Sequence, residues 1–234
     1  MKEEIIIFSN SKAIHVGYRD VEFKERDPNK IWLGENSPWD IDPINHTVTH
    51  NDEQIGIVAP VDPSTFLLAK LVDLGEKTPE GHLINSTTAA WSEIGKQLHA
   101  NPGFRFEFCV YPTQFEHFIA GGRFLEGWDA VTVTPQSGDK GRDVIAETNS
   151  KRILEQAKAY SAHRSVGHTD VRAMWGVLHR DERANQAVIT TTTDFAPGIA
   201  EEFKDVIPVK LELKDGSQFL KWIEGIVTVQ SNGL

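Results

Sequence analysis

An acid at position 143, an amide at 156 and an amine at 158 make a set able to engage a divalent cation and a phosphate. Alternate side chains of an extended strand share a face. Leu154, Gln156, Lys158 and Tyr160 therefore point one way, and Ile153, Glu155 and Ala157 the other. Gln156 and Lys158 stand roughly 6–7 Å apart on their common face. Asp143 opens the preceding strand, and a hairpin turn at Thr148-Asn149-Ser150 folds it back beside them. Mg²⁺ takes oxygen ligands and keeps several waters, so one or two protein groups plus substrate oxygens hold it. Such a cation acidifies a water and offsets charge on a phosphorus under attack, while Lys158 orients the water or neutralises that charge. Taken singly, Asp143 reads as a turn residue and Gln156 and Lys158 as a solvated strand face. Their proximity across one hairpin is what favours the chemical reading.

The elements that must position this set are regular after Gly103. Pro112 suits a first helical position, with Phe115, Phe118 and Ile119 as an apolar stripe, and Gly121-Gly122 is expected to break or weaken that helix. Ala130–Thr134 reads as a strand closed by Pro135, and a turn-rich stretch, 137–141, follows it. Strands over Asp143–Glu147 and Ile153–Tyr160 come next, then a helix marked by Val171, Met174, Trp175 and Leu178. A strand over Ala187–Thr193, a short helix through Ile199 and Phe203, a strand over Val209–Leu213 and a helix through Phe219 and Ile223 complete the order. That order predicts an α/β core, a mixed sheet with helices on both faces.

Residues 1–103 read as a separate α+β region and 104–234 as the domain bearing the set. In the first region Ile5–Phe8, Ala13–Val16 and Ile55–Val58 look like strands, and Phe66 to Leu71 like a helix. A second helix carries Trp91, Ile94 and Leu98 behind the capping residues Ser86-Thr87-Thr88. Composition is that of a globular chain, 39% apolar, without an eighteen-residue apolar run. A lone cysteine, Cys109, excludes an internal disulfide or a multi-cysteine zinc site, and a reducing cytoplasm is the expected compartment. The net charge of −10 gives no support to a polyanionic partner. Residues 140–183 nevertheless carry nine basic against six acidic side chains, a local strip able to meet phosphates.

Other features take blander readings. His163, His168 and Asp170 have no metal-ligand spacing, and Thr190–Thr193 suits a β-branched strand. Gly138-x-x-Gly141 lacks the strand–loop–helix setting of nucleotide binding. Trp175 reads as core, whereas Trp32 and Trp39 fall in turn-rich sequence.

Five segments, in order, resemble the Mrr family of restriction endonucleases, which are nucleases of the PD-(D/E)xK type. Tyr111-Pro112-Thr113-Gln114-Phe115-Glu116 is similar to the family's opening helix. Ser137-Gly138-Asp139-Lys140-Gly141-Arg142-Asp143-Val144-Ile145-Ala146 resembles its Asp-Gly-Gly-x-Asp turn and strand, with Lys140 where the family usually has glycine. Gln156-Ala157-Lys158 matches its Gln-x-Lys. Ile189 to Phe195 and Asp215 to Leu220 resemble a later strand and the closing turn and helix.

The resemblance covers about residues 111–224 and implies a restriction-endonuclease-like fold. It implies Asp143 as principal metal ligand, Gln156 as the second, Lys158 as catalytic lysine and Glu116 as an auxiliary ligand or supporting group. Asp139 is a weaker candidate. The function so implied is Mg²⁺-dependent endonuclease cleavage of DNA, with Mn²⁺ able to substitute, in restriction or anti-phage defence. A homodimer is expected because cutting both strands usually takes two sites. Two other readings stay open: a non-catalytic DNA-binding protein that keeps the fold, and a structure-specific repair nuclease.

Overall fold

The computed structural model describes residues 3–9, 12–19, 30–33, 39–42, 47–50, 53–57, 70–135 and 141–232. The chain divides into two compact units, Met1–Ala69 and Lys70–Leu234.

The first unit contains two three-stranded antiparallel sheets among the described residues. One is ordered β2-β1-β3, from β1 (Glu3–Ser9), β2 (Lys12–Arg19) and β3 (Lys30–Leu33), with a bulge between Ile5 and Ile6. The other is ordered β4-β5-β6, from β4 (Trp39–Asp42), β5 (Thr47–His50) and β6 (Glu53–Ile57). Most of the predicted helix at 66–71 lies outside the described residues, as do Val58 and Asp139.

The second unit is built on one seven-stranded sheet, ordered β13-β12-β11-β10-β9-β8-β7. Its strands are β7 (Val72–Thr78), β8 (Gly81–Thr87), β9 (Ala130–Val133), β10 (Val144–Glu147), β11 (Arg152–Lys158), β12 (Gln186–Thr191) and β13 (Leu211–Lys214). The β11–β12 and β12–β13 pairs are parallel and the rest antiparallel. Parallel neighbours need a crossover, which α3 (His168–Arg180) and α4 (Ile199–Glu202) supply. The remaining helices are α1 (Ala89–Ala100), α2 (Pro112–Leu125) and α5 (Gly216–Asn232), with a 3-10 helix over Pro102–Cys109. Among the described residues no helix is long and apolar enough to cross a membrane.

The domain boundary differs from the expected one at 104. The β7–β8 hairpin and α1 belong to the second unit, because β8 pairs with β9 through His82↔Val133 and Leu83↔Thr132. The sheet therefore begins at Val72, some thirty residues before the regular hydrophobic pattern does.

Each face of the sheet has its own core. On one side Ile145, Leu154, Ala187, Ile189 and Leu211 pack against Val171, Met174 and Val177 of α3 and Ile199 of α4. The other side is aromatic: Trp91 stacks on Phe118 at 4.7 Å, and Phe108, Phe115 and Phe219 close around them. Here Gly121-Gly122 does not break α2. A Cβ on Gly121 would lie 2.5 Å from Nε1 of Trp91, and one on Gly122 2.6 Å from the Trp222 ring. The glycines let two indoles approach the helix; they do not end it.

Candidate active site

The acid, amide and amine gather where β10 begins and β11 ends. The last antiparallel pair is Val144↔Glu155, and the Asp143 N–H continues it by donating to the Glu155 carbonyl at 2.9 Å. On the other side Thr134 donates its N–H to the Asp143 carbonyl at 2.9 Å, so both neighbouring strands hold this peptide. The Asp143 carboxylate accepts the Ala157 N–H at 2.7 Å, through Oδ2. Ala157 stands between Gln156 and Lys158, so the acid is fastened to the chain between the amide and the amine.

The face follows from alternation. Ile145 and Leu154, paired across the strands, both belong to the core under α3. Two residues on along each strand, Asp143 and Gln156 continue that side, and Lys158 follows Gln156. Gln156 donates Nε2 to the Gly141 carbonyl at 3.2 Å. This orientation of the amide is the only sensible one, since the flipped form would set oxygen against oxygen. Gly141 has φ +83°, a left-handed backbone that aims its carbonyl there without a Cβ penalty. The Gln156 Oε1 is then buried and accepts no hydrogen bond. A buried acceptor without a partner is costly and calls for a ligand or water. A hard cation would satisfy it, so the donor set fits a site for Mg²⁺.

Lys158 sits at the end of β11 with its carbonyl accepting from Thr192 N–H at 3.2 Å and from Thr191 Oγ1 at 2.8 Å. Its ammonium lies 3.2 Å from Asp170, in the first turn of α3. Asp170 also accepts the Gly167 N–H at 3.3 Å, so the helix start and the lysine are tied together.

Glu116 is half-buried on α2. Helix α2 covers the opposite face of the sheet, reaching β11 through the Arg123–Glu155 ion pair at 2.7 Å. Among the described residues no three His, Cys, Asp or Glu side chains gather as a metal cluster. The role of Glu116 therefore rests on the resemblance alone.

Glu155, set aside by alternation, does point away from the set, and the structure gives it another task. It is wholly buried, pairs with Arg123 and accepts the Thr190 hydroxyl. Burial pushes its carboxyl up. The charges of Arg123 and Lys214 and the hydrogen bonds from Arg123 and Thr190 more than reverse this, holding it below the usual carboxylate range. Burial pushes the nearby Lys214 ammonium below its usual value, partly countered by Glu155, and the Trp222 ring lies 4.1 Å from it. Sequence spacing hid this network, because Arg123 and Lys214 lie in distant elements.

A cleft of about 820 Å³ opens beside Gly141, along the C-terminal half of α3. Arg152, 3% exposed, is shared there by Glu80, Glu147 and Asp181. Burial raises the carboxyls of Glu80 and Asp181. Arg152 outweighs it in both, helped by Arg142 and Arg183, and both end below their ordinary range. The charges balance, so this cluster ties the β7–β8 turn to β10, β11 and α3.

Comparison with known proteins adds a family. Residues 110–223 match the family model Mrr_cat, described as a restriction endonuclease. No curated protein matches the chain. Three solved structures resemble it. Protein AF1548, of unknown function, aligns at 18% identity and TM-score 0.38, over 47% of this chain and 65% of that one. The DNA modification-dependent restriction endonuclease AspBHI aligns at 15% and 0.39, over 76% of this chain and 46% of that one. The MspJI restriction endonuclease, solved with a 27-mer oligonucleotide, aligns at 21% and 0.31, over 76% and 38%. The chain thus spans between 38% and 65% of the length of these structures.

Proposed function

We propose, from the match of residues 110–223 to the Mrr-type restriction endonuclease model, that the chain hydrolyses DNA phosphodiester bonds as a Mg²⁺-dependent endonuclease in restriction or anti-phage defence. The observation that carries this reading is the buried, unsatisfied Oε1 of Gln156 beside a carboxylate fastened to the neighbouring peptide. In this reading Asp143 and Gln156 hold the cation by oxygen, and Glu116 assists as an auxiliary or supporting group. The chemistry that a bound Mg²⁺ supplies is electrostatic, acidifying water and offsetting phosphate charge, and Mn²⁺ serves in its place.

The chain's own residues do the rest. Lys158, aimed by Asp170 at 3.2 Å, donates to the attacking water or to a phosphate oxygen, where charge grows during attack. The Ala157 N–H fixes the Asp143 carboxylate before substrate arrives, so no reorganisation is needed at the moment of reaction. The first unit, Met1–Ala69, recognises the target or mediates assembly, and a homodimer supplies the second site for the second strand.

The test is cleavage of plasmid and of methylated and branched duplexes with Mg²⁺ or Mn²⁺, by wild type, Asp143→Ala and Lys158→Ala. Loss of cutting in both variants is expected. Cutting that persists unchanged in both removes the proposed site. Cutting confined to branched duplexes replaces restriction by repair, and binding without cutting under every condition leaves a DNA-binding protein.

A further inference from the structure

Most arginines of the second unit are ion-paired. Arg123, Arg142, Arg152, Arg172 and Arg183 each have a carboxylate within ion-pair distance. Arg105, Arg164 and Arg180 instead meet carbonyls or rings, with no carboxylate at ion-pair distance among the described residues. In a chain of net charge −10 this is not for want of acids. Arg180 bonds the Gly176 carbonyl of its own helix, at the end of α3 away from Lys158. Arg105 and Arg164 are different: each lies over an aromatic ring, and the residue just after β12 bonds Arg105 directly and Arg164's ring partner, Tyr160.

That residue is Thr192. Its N–H donates to the Lys158 carbonyl at 3.2 Å. Its hydroxyl donates to the Tyr160 carbonyl at 2.7 Å and accepts the Tyr160 N–H at 2.8 Å. Its own carbonyl accepts Nε of Arg105 at 2.9 Å. Beyond Tyr160 the chain turns, with Arg164 N–H donated to the Ser161 carbonyl at 3.0 Å, and the guanidinium returns over the Tyr160 ring at 3.7 Å. Arg105 lies over the Phe106 ring at 4.1 Å, with Nη1 donated to the Pro102 carbonyl at 2.6 Å. Arg105 and the peptide of the proposed catalytic lysine are therefore bonded to one threonine, and Arg164 reaches it only through Tyr160.

We propose that Arg164, carried on Tyr160, and Arg105, carried on Phe106, form a clamp for backbone phosphates of the DNA strand flanking the bond that Lys158 serves. The clamp rests on the nuclease reading and adds residues to it; Arg105 lies outside the matched family segment. A guanidinium presents a planar fork of donors matched to phosphate oxygens, and it is less strongly hydrated than an ammonium. Stacking on a ring restricts the long side chain before the ligand arrives, which lowers the entropy lost on binding. Arg164 is the stronger arm, being exposed, with no side-chain hydrogen bond given to the protein. Arg105 is half-buried and spends two of its N–H groups on carbonyls, so it contributes an edge and a charge.

The test is equilibrium binding of a fluorescent duplex in Ca²⁺ across a NaCl series, for wild type, Arg164→Ala, Arg105→Ala and the double variant. Phosphate contacts release counterions, so each lost contact lowers the slope of log K against log salt by about 1. Each single variant is expected to bind about tenfold more weakly near 100 mM salt, with that change of slope. Wild-type binding and Mg²⁺ cleavage, with affinity and slope unchanged in the double variant, overturn the clamp alone. Weaker binding at an unchanged slope also overturns it, since that marks a structural role. If wild type neither binds nor cuts any duplex, the nuclease reading falls and the clamp with it. Arg164 is exposed, so its variant decides the question even if Arg105→Ala does not fold.

Discussion

Glu155 and Gln156 are neighbours on one strand and live in opposite conditions. The carboxylate faces α2 and α5, where Arg123, Thr190 and Lys214 meet its charge and its lone pairs. The amide faces α3, where its nitrogen finds Gly141 and its oxygen finds nothing. Glu155 is wholly buried and Gln156 half-buried, yet the Gln156 Oε1 is sealed from solvent too. What separates them is whether the fold completes their bonding. An acid whose lone pairs are met holds elements together; an acceptor left unmet is where a cation or water binds.

The largest effect that tests this contrast is catalytic. Lys158→Ala or Asp143→Ala is expected to lower single-turnover DNA cleavage by about 10³-fold. The melting temperature should move little for Lys158→Ala, since a half-exposed ion pair contributes under about 1 kcal/mol. On the sealed side the order reverses. Glu155→Ala leaves Arg123 buried and short of a partner, which costs about 3–5 kcal/mol, read as a shift of the denaturant midpoint. A variant that melts like wild type would show that Glu155 is not the fastener described.

Acid should find the same side. The folded carboxyl of Glu155 titrates below its unfolded value of about 4.3. Its stabilisation is therefore complete above that value and is lost as pH falls through the lower folded one. Stability measured from neutral to strongly acidic pH should fall on the acid limb, and Glu155→Gln should flatten that limb.

Smaller effects sharpen the edges. Gly121→Ala drives a methyl into Trp91, which its Nε1 bond to the Phe118 carbonyl at 2.8 Å holds in place. Overpacking of this kind costs about 1–3 kcal/mol, seen as a lower midpoint. Gln156→Met trades one hydrogen bond to Gly141 for removal of an unsatisfied oxygen, so stability should change by less than about 1 kcal/mol. Mg²⁺ titration of the same variant should be weakened. A large loss of stability there would place Gln156 with the fasteners and erase the contrast.

Much of this was legible in the amino-acid order, because turns punctuate the second half of the chain. Thr148-Asn149-Ser150 set the β10–β11 pairing, and alternation put Gln156 and Lys158 on the side away from Glu155. The β7–β8 hairpin was not legible. Its residues alternate weakly, Leu74 is 39% exposed, and edge strands need little apolar surface. Gly121-Gly122 misled, since a helix breaker and a site of close indole approach look alike until Trp91 and Trp222 are in place. The unmet valence of Gln156 and the fellowship of Arg105, Tyr160 and Lys158 around Thr192 depend on partners far apart in the chain. Local pattern does not carry them.

The bond from the Ala157 peptide to the Asp143 carboxylate gives that acid two jobs at once. It is a tool presented to whatever enters, and also the vice in which the neighbouring tools are gripped, one residue to either side. Damage to it therefore cannot stay local: losing the acid loosens the peptide from which Gln156 and Lys158 both hang. Evolution can retune such a workbench only by moving all three together.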